Sequence, residues 1–159
     1  MEQFSKNEAI ELAIQIEREG KEFFDAVAKA ASEEEVRNVF RWLAAEETRH
    51  MQVFESMREE TERLALSGPY DWEEVGRYLR AMMQERVFPG VEEASKVARG
   101  MKDLGRVFRF ALQIEKDNIL YFHELRDFVA EQDRGVLNRL IEEEKSHIRR
   151  LVELRNRMM

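Results

Sequence analysis

The sequence predicts an all-α protein, a four-helix bundle in which one long connection joins the second and third long helices. Only two prolines and seven glycines interrupt the 159 residues, so long helices are expected. Apolar residues recur at the spacing of one helix face through most of the chain. Signals that start and end helices divide this pattern into two long hairpins with shorter helical segments between them.

The first hairpin opens on a capping box, in which Ser5 and Glu8 can satisfy the free backbone N–H groups at a helix start. Apolar residues at helical spacing follow this box. A second box, Ser32 with Glu35, predicts that the next helix begins after a very short turn. The segment Ser67-Gly68-Pro69 ends that second helix.

The rest of the chain carries similar helix signals. Asp71 and Glu74 can cap a shorter helix, which Phe88-Pro89-Gly90 ends. Gly100 separates a further short segment from the third long helix, and Asp133 can cap the last helix. The predicted helical spans are about 72–87, 91–99, 103–131 and 134–157.

These elements predict a single domain over residues 1–159. Its helical hairpins cover about 5–67 and 101–158, and the connection covers about 68–100. One long crossover between helices two and three is the layout of ferritin-like folds, whereas an up-down-up-down bundle needs only a short loop there. We therefore predict a ferritin-like four-helix bundle whose crossover carries the short extra helices.

Composition excludes several classes of function. The net charge of −7 argues against nucleic acid and against an anionic membrane surface as partners, since both attract basic proteins. The absence of cysteine excludes disulfides, cysteine-based metal sites and a thiol nucleophile. The first residues do not resemble a signal peptide, and no apolar run approaches the ~18 residues of a membrane span. We expect a cytoplasmic protein.

Two phrases of similar sequence place a glutamate between residues of core type. Residues 13–24 read AIQIEREGKEFF, and residues 111–122 read ALQIEKDNILYF. Glu17 and Glu115 occupy the same place in the two phrases, 98 positions apart. A glutamate among core residues needs a reason to be buried, because an unpaired buried charge is costly.

The second helix of each hairpin carries the motif Glu-x-x-His. The two copies are Glu47 with His50 and Glu144 with His147, 97 positions apart. Residues at i and i+3 share a helix face, so a carboxylate and an imidazole at this spacing can bind one metal ion. The chain has only three histidines, and two of them obey the rule at repeat-equivalent positions. The chain is therefore a repeat of one hairpin with the same potential ligands.

Two single carboxylates and two Glu-x-x-His motifs form the ligand set of di-iron and di-manganese bundles. Four carboxylates balance the charge of two divalent ions, so their burial becomes tolerable. In a helical hairpin, residues equidistant from the turn lie side by side. The midpoint of positions 17 and 47 falls at Ser32, where a turn is predicted. The midpoint of positions 115 and 144 falls at 129.5, near the turn predicted at 131–133. The predicted metal ligands and catalytic residues are Glu17, Glu47, His50, Glu115, Glu144 and His147.

Other interpretations of these residues remain open at this point. The glutamates could face solvent on amphipathic helices, and the Glu-x-x-His motifs could be surface pairs. Glu46 and Glu143 stand four residues before the same histidines and could share their face. Tyr121 could reach the site as a proton or electron donor, whereas His123 is expected at the surface or an interface.

In these motifs the sequence resembles the rubrerythrin branch of the ferritin-like superfamily over essentially the whole chain. The resemblance implies a non-haem di-iron centre that reacts with hydrogen peroxide or dioxygen. Full-length rubrerythrins also carry a cysteine-rich rubredoxin domain, so electrons are expected here from a separate donor. They carry a further glutamate three residues after the third-helix ligand, where this chain has Asn118, with Gly20 at the repeat-equivalent position. This departure argues against the rubrerythrin-type exchange of carboxylate and histidine ligands and suggests a more symmetric site.

The expected function is peroxide reduction by two bound Fe ions, with electrons from a rubredoxin-type protein or another external donor. Glu17 and Glu115 are expected as terminal ligands and Glu47 and Glu144 as bridging ligands. Manganese or zinc are alternative metals, and we expect a homodimer. The alternative functions are a ferroxidase that takes iron as its substrate, an oxidase or oxygenase, and a metal-free interaction bundle.

Overall fold

The computed structural model describes residues 4–61, 70–86, 96, 104–129 and 131–159. Within these ranges the regular elements are helices and no strand is present, which confirms the all-α prediction. None of the described helices is long and apolar enough to cross a membrane. The helices are α1 Lys6–Ala30, α2 Glu34–Thr61, α3 Trp72–Gln84, α4 Leu104–Arg126 and α5 Glu131–Met158.

The four long helices form two hairpins, α1 with α2 and α4 with α5, and the hairpins pack together through α1 and α4 and through α2 and α5. Helices α1 and α4 are antiparallel, since the Tyr121 hydroxyl donates to the Ala9 carbonyl while the Phe23 and Phe110 rings lie 6.3 Å apart. Helices α2 and α5 are likewise antiparallel. It follows that α2 and α4 run in the same direction, so the chain between them must return along the bundle.

Helix α3 lies alongside α1 and follows its direction. Gly76 packs against Phe4, and Arg80 forms an ion pair with Glu8 one turn further along both helices. The predicted helix over 91–99 and the stop at 67–69 lie outside the described residues, apart from position 96. The long crossover stays a prediction, with which the direction of α3 agrees.

Two predicted helix caps are confirmed. The Ser5 side chain accepts a hydrogen bond from the backbone N–H of Glu8. The Asp71 carboxylate accepts hydrogen bonds from the backbone N–H groups of Glu73 and Glu74. Both side chains satisfy donors that a helix start leaves free.

The predicted cap at Ser32 is wrong by one residue. Helix α2 begins at Glu34, and the backbone N–H of Arg37 donates to the Glu33 carbonyl, so Glu33 holds the cap position. The Arg37 guanidinium donates to the carbonyl oxygens of Ala31 and Ser32. This side chain satisfies the turn carbonyls, an interaction that helix-start preferences do not predict.

The predicted turn between α4 and α5 is also wrong, because Asp133 lies in the first turn of α5 and does not cap it. Helix α4 ends at Arg126, five residues before the predicted end at 131. The Phe128 ring packs against Tyr70 and Trp72, with centroids 5.3 and 5.5 Å apart. Packing against the chain at the start of α3 therefore turns the backbone at 127–129, where the sequence has neither glycine nor proline.

The core consists of two apolar clusters at different levels of the bundle. One cluster includes Phe23, Phe40 and Phe108, and the other includes Phe54 and Phe122. The predicted ligand positions fall between the two clusters along each helix. The charged residues of the repeat therefore form a layer with apolar packing on both sides.

Candidate metal centre

The structure brings the six predicted ligands into one buried layer. Each comes from the interior of a long helix, one from α1, two from α2, one from α4 and two from α5. Their exposed fractions are 1% or less, which excludes the solvent-facing interpretation. The six residues are Glu17, Glu47, His50, Glu115, Glu144 and His147.

Glu144 lies at the centre of this layer. Its Oε1 atom is 2.9 Å from Nδ1 of His50, and its Oε2 atom is 3.0 Å from Nδ1 of His147. Nδ1 of His147 also lies 3.3 Å from a Glu115 oxygen and 3.7 Å from a Glu47 oxygen. The imidazole rings of His50 and His147 are stacked, with centroids 5.7 Å apart and planes 9° apart. Both histidines therefore direct Nδ1 towards the carboxylates.

The donor atoms fall into two groups that overlap. In each group the atoms lie within 4.8 Å of one another, which is close enough to surround one ion. Glu47 and Glu144 belong to both groups, as expected for bridging carboxylates. One group is Glu17, Glu47, His50 and Glu144, and the other is Glu47, Glu115, Glu144 and His147. The role of these residues as ligands stays a prediction that this geometry supports.

The pKa values of the carboxyl groups in the layer are shifted in opposite directions. Burial raises the pKa of three of them well above the usual range, and the neighbouring charge of Glu144 adds to the rise. Burial acts in the same direction on Glu144, but hydrogen bonding from Glu115 and both histidines outweighs it and holds the pKa of Glu144 below its usual range. The three carboxyl groups with a raised pKa are Glu17, Glu47 and Glu115.

The two histidines differ in the partners of their ring nitrogens. The Nε2 atom of His50 lies 3.0 Å from Oε2 of Glu143 and is hydrogen-bonded to it. His147 instead forms its hydrogen bond through Nδ1, with Glu144, and its Nε2 atom has no hydrogen-bond partner among the described residues. Burial alone would lower the pKa of His50, but Glu144 and Glu47 outweigh it and raise that pKa to about 9.

Glu46 and Glu143, whose place the sequence left open, lie on the Nε2 side of the histidines. Each faces the histidine of the other hairpin, Glu143 towards His50 and Glu46 towards Nε2 of His147 at 3.8 Å. Arg49 bridges the two carboxylates, at 2.9 Å from Glu46 and 2.5 Å from Glu143. A carboxylate on the second ring nitrogen fixes the ring and its tautomer in metal sites. Glu143 is thus the orienting partner of His50 that the sequence could not identify.

Asn118, which departs from the rubrerythrin pattern, and its repeat-equivalent Gly20 both face Glu47. Asn118 is buried, and its amide donates to Oε2 of Glu47 at 3.4 Å. A Cβ atom at Gly20 would lie 3.3 Å from the same oxygen. A glycine and an amide therefore stand where a further carboxylate would crowd Glu47, and the centre keeps four carboxylates.

Tyr121 does not contribute its proton to the layer. Its hydroxyl donates to the Ala9 carbonyl at 2.7 Å, a contact between α1 and α4. Burial, which disfavours the phenolate, raises the pKa of Tyr121 above its usual range. His123 is only half-buried on the same helix and belongs to neither donor group.

Trp42 and Arg86 each make a contact near the centre that the sequence did not predict. The Trp42 ring meets the His147 ring edge-on at 5.0 Å. Arg86, just after α3, forms an ion pair with Glu19, two residues beyond Glu17. The crossover is thereby tied to the helix that carries Glu17. A single sequence offers no signal for either contact, because neither residue has a repeat-equivalent partner of the same type.

Comparisons with known proteins agree with this geometry. The sequence profile of the rubrerythrin family matches residues 8–155. Among solved structures, a candidate ferritin-like diiron-carboxylate protein of Thermotoga maritima matches with a TM-score of 0.71 and 24% identity. That match covers 100% of this chain and 99% of the other and establishes the ferritin-like fold alone. No curated protein is detectably similar to this chain in sequence.

Proposed function

The chain belongs to the rubrerythrin family, and from that premise we propose that it is a non-haem di-iron protein that reduces hydrogen peroxide with electrons from an external donor. The observation that carries the proposal is the pair of overlapping donor groups that share Glu47 and Glu144. Two ions in these groups would each meet one imidazole, one unshared carboxylate and two shared carboxylates. This is the ligand set of di-iron carboxylate bundles.

The donor set fits a pair of divalent iron ions. It contains oxygen and imidazole nitrogen but no sulfur, and non-haem iron binds such mixed sets. Both carboxylate oxygens of Glu17 are buried without a hydrogen-bond partner among the described residues. Orphaned acceptors of this kind are costly unless a cation satisfies them. Four carboxylates also match the four positive charges of two ferrous ions.

Bound iron would supply Lewis acidity and electrons, and the residues of this chain would supply geometry. Glu47 and Glu144 would hold both ions at a fixed separation. Glu143 would keep Nε2 of His50 protonated, so that the lone pair of Nδ1 points inward. The apolar clusters on both sides of the layer would exclude bulk water and keep the charged ligands strongly interacting.

Peroxide reduction consumes two electrons and two protons for each hydrogen peroxide and yields two waters. The family supports an oxidoreductase of this type, while the choice of oxidant is our proposal. No described cysteine or other redox centre supplies the electrons, so we propose a separate rubredoxin-type donor. We also propose a cytoplasmic homodimer of single-domain chains.

Rapid mixing tests the proposed reaction. Protein loaded anaerobically with ferrous iron would be mixed with hydrogen peroxide and, separately, with dioxygen, while iron oxidation is followed optically. We expect peroxide to oxidise the protein faster than dioxygen, and excess ferrous iron to remain unoxidised. Glu144→Ala should abolish the reaction, whereas Glu142→Ala should keep it, because Glu142 is 66% exposed and pairs with Lys145. Turnover and retention of excess ferrous iron would instead identify a ferroxidase.

A further inference from the structure

The Trp42 side chain connects a candidate ligand to the protein surface. Its ring meets the His147 ring edge-on, with centroids 5.0 Å apart, and the side chain is partly exposed. The His147 ring in turn stacks on the His50 ring at 5.7 Å. Three aromatic rings therefore lie in contact from the surface to both donor groups. The repeat-equivalent position in the second hairpin is Arg139, so only one half of the repeat carries a ring at this place.

The ligand layer is better shielded in the other directions. One apolar cluster packs on each side of it along the bundle. Helix α3 packs on α1, and Arg86, just after α3, pairs with Glu19 on the helix that carries Glu17. Electronic coupling between two redox centres falls steeply with the distance between them. A redox partner would therefore couple best to the ligands from the face of α2 and α5 that carries Trp42.

The surface around Trp42 is positive in an acidic protein. The Arg150 guanidinium lies over the Trp42 ring, 4.1 Å from its centroid, as a cation–π pair. Arg41 and Arg150 are exposed and form no ion pair within the described part of the chain. The exposed carboxylate of Glu153 lies one turn beyond Arg150, and the carboxylates of the neighbouring turn already share Arg49. We call Arg41, Trp42 and Arg150 the Trp42 face.

The residues beside the Trp42 face are small or uncharged. Asn38 and Ala45 lie about one turn before and after Trp42 on α2, and Ser146 lies one turn before Arg150 on α5. All three are exposed. Tryptophan and arginine are the side chains that most often dominate the energy of protein interfaces. This face therefore has the composition of a binding surface.

We propose that the Trp42 face docks an acidic, one-electron donor protein and that Trp42 couples this donor electronically to His147. The proposal rests on the proposed function, because it names the place where the external donor acts. Each docked donor is oxidised by one electron while one ferric ion is reduced to ferrous, so two dockings restore the di-ferrous pair and no bond forms or breaks. The indole lies between donor and acceptor and is not itself reduced.

Docking is tested with zinc-loaded protein, which exchanges no electrons. Calorimetric titration at low salt would measure its affinity for an oxidised rubredoxin with an acidic surface. Arg41→Glu and Arg150→Glu should each bind at least about tenfold more weakly, because like charges would then face each other. Arg109→Glu, the same charge change on an exposed residue of α4, should bind as the wild type does. Absence of binding by the wild type, or equal affinities in all four proteins, would overturn the proposal.

Electron transfer through Trp42 is tested separately by stopped flow. Di-ferric protein would be mixed anaerobically with reduced rubredoxin at saturating concentration, so that weaker docking does not limit the rate. Trp42→Leu should slow reduction several-fold and should slow oxidation by peroxide less, whereas Trp42→Phe, which keeps a ring beside His147, should stay closer to the wild type. A wild-type reduction rate in Trp42→Leu would overturn the coupling role. Equal slowing of both steps would also overturn it, since the ring would then only hold His147 in place.

A second copy of this chain is the other partner that the Trp42 face could bind. Light scattering of Arg150→Glu distinguishes the two cases: an unchanged mass with weaker rubredoxin binding supports the donor face. A changed mass with unchanged rubredoxin binding would show that a second copy covers the face and would overturn the proposal. If rubredoxin reduces the ferric protein through Trp42 but the ferrous protein does not react with peroxide, the proposed function fails and the donor face stands.

Discussion

The unequal protonation of the buried carboxyls predicts that two similar substitutions will have different effects on the metal-free protein. Glu144→Gln removes the carboxylate that stays ionised, and it leaves the buried, charged His50 without its closest partner, 2.9 Å away. Glu115→Gln replaces a carboxyl group whose pKa burial raises well above the usual range, which favours its protonated form. Glutamine closely resembles a protonated glutamic acid in shape and can also donate a hydrogen bond to Glu144.

The expected magnitudes differ by several-fold. Removing one partner of a buried ion pair costs about 3–5 kcal/mol, because the remaining charge is uncompensated. The Glu144→Gln protein should lose about this much free energy of unfolding, or roughly 6–20 °C in Tm for a chain of this size. Glu115→Gln should cost less than about 1.5 kcal/mol, the net value of one ordinary hydrogen bond.

Urea denaturation at neutral pH, with a chelator present throughout, measures both differences. Glu142→Gln serves as the control, since this exposed side chain should change stability by less than about 0.5 kcal/mol. Equal losses for Glu144→Gln and Glu115→Gln would refute the unequal protonation, and a larger loss for Glu115→Gln would reverse it.

Three further predictions concern pH, packing and the Glu47 carboxylate. Folding raises the pKa of Glu17, Glu47, Glu115 and His50, so the stability that these groups contribute is lost as pH rises through their folded pKa values. The Tm of the metal-free protein should therefore fall between about pH 5 and pH 9. The Tm of the metal-loaded protein should not fall in this range, because bound metal displaces these protons. A constant metal-free Tm would contradict this. Gly76→Ala should cost about 1–3 kcal/mol, because the new Cβ would overlap the Phe4 ring. Gly135→Ala should stabilise by about 0.5–1 kcal/mol, because the new Cβ would meet no described atom within 4 Å beyond its chain neighbours and the nearby backbone of its own helix. Chemical denaturation compares the two variants, and equal effects would contradict this reasoning. Asn118→Leu should weaken metal affinity about tenfold in calorimetric titration by removing the amide on Glu47, and wild-type affinity would show that the amide is dispensable.

The repeat made the candidate centre predictable from sequence. Apolar neighbours identify Glu17 and Glu115 as candidates. A histidine at i+3 identifies Glu47 and Glu144, and all four glutamates are fully buried. Helical periodicity fixes which residues share a face, so it suffices to bring the donor atoms to one level. The midpoint 129.5 falls in the observed turn between α4 and α5, which lies a few residues before the turn predicted at 131–133.

Features that depend on how the helices pack could not be predicted from the sequence alone. Glu46 and Glu143 stand at the same offset from their own histidines, yet each faces the histidine of the other hairpin. That crossing follows from the antiparallel contact of α2 and α5, which spacing along one helix does not specify. The end of α4 was missed for a similar reason, because Phe128 turns the chain by packing on Trp72.

Metal content tests the central claim most directly. Protein loaded anaerobically with ferrous iron and freed of excess metal should hold two irons per chain, and Glu144→Ala and His147→Ala should hold fewer. Glu142→Ala should retain the wild-type content, since its side chain is exposed and lies outside the donor groups. Fewer than one iron in the wild-type chain would contradict a di-iron centre, and two irons in both ligand variants would show that the assigned residues do not hold them.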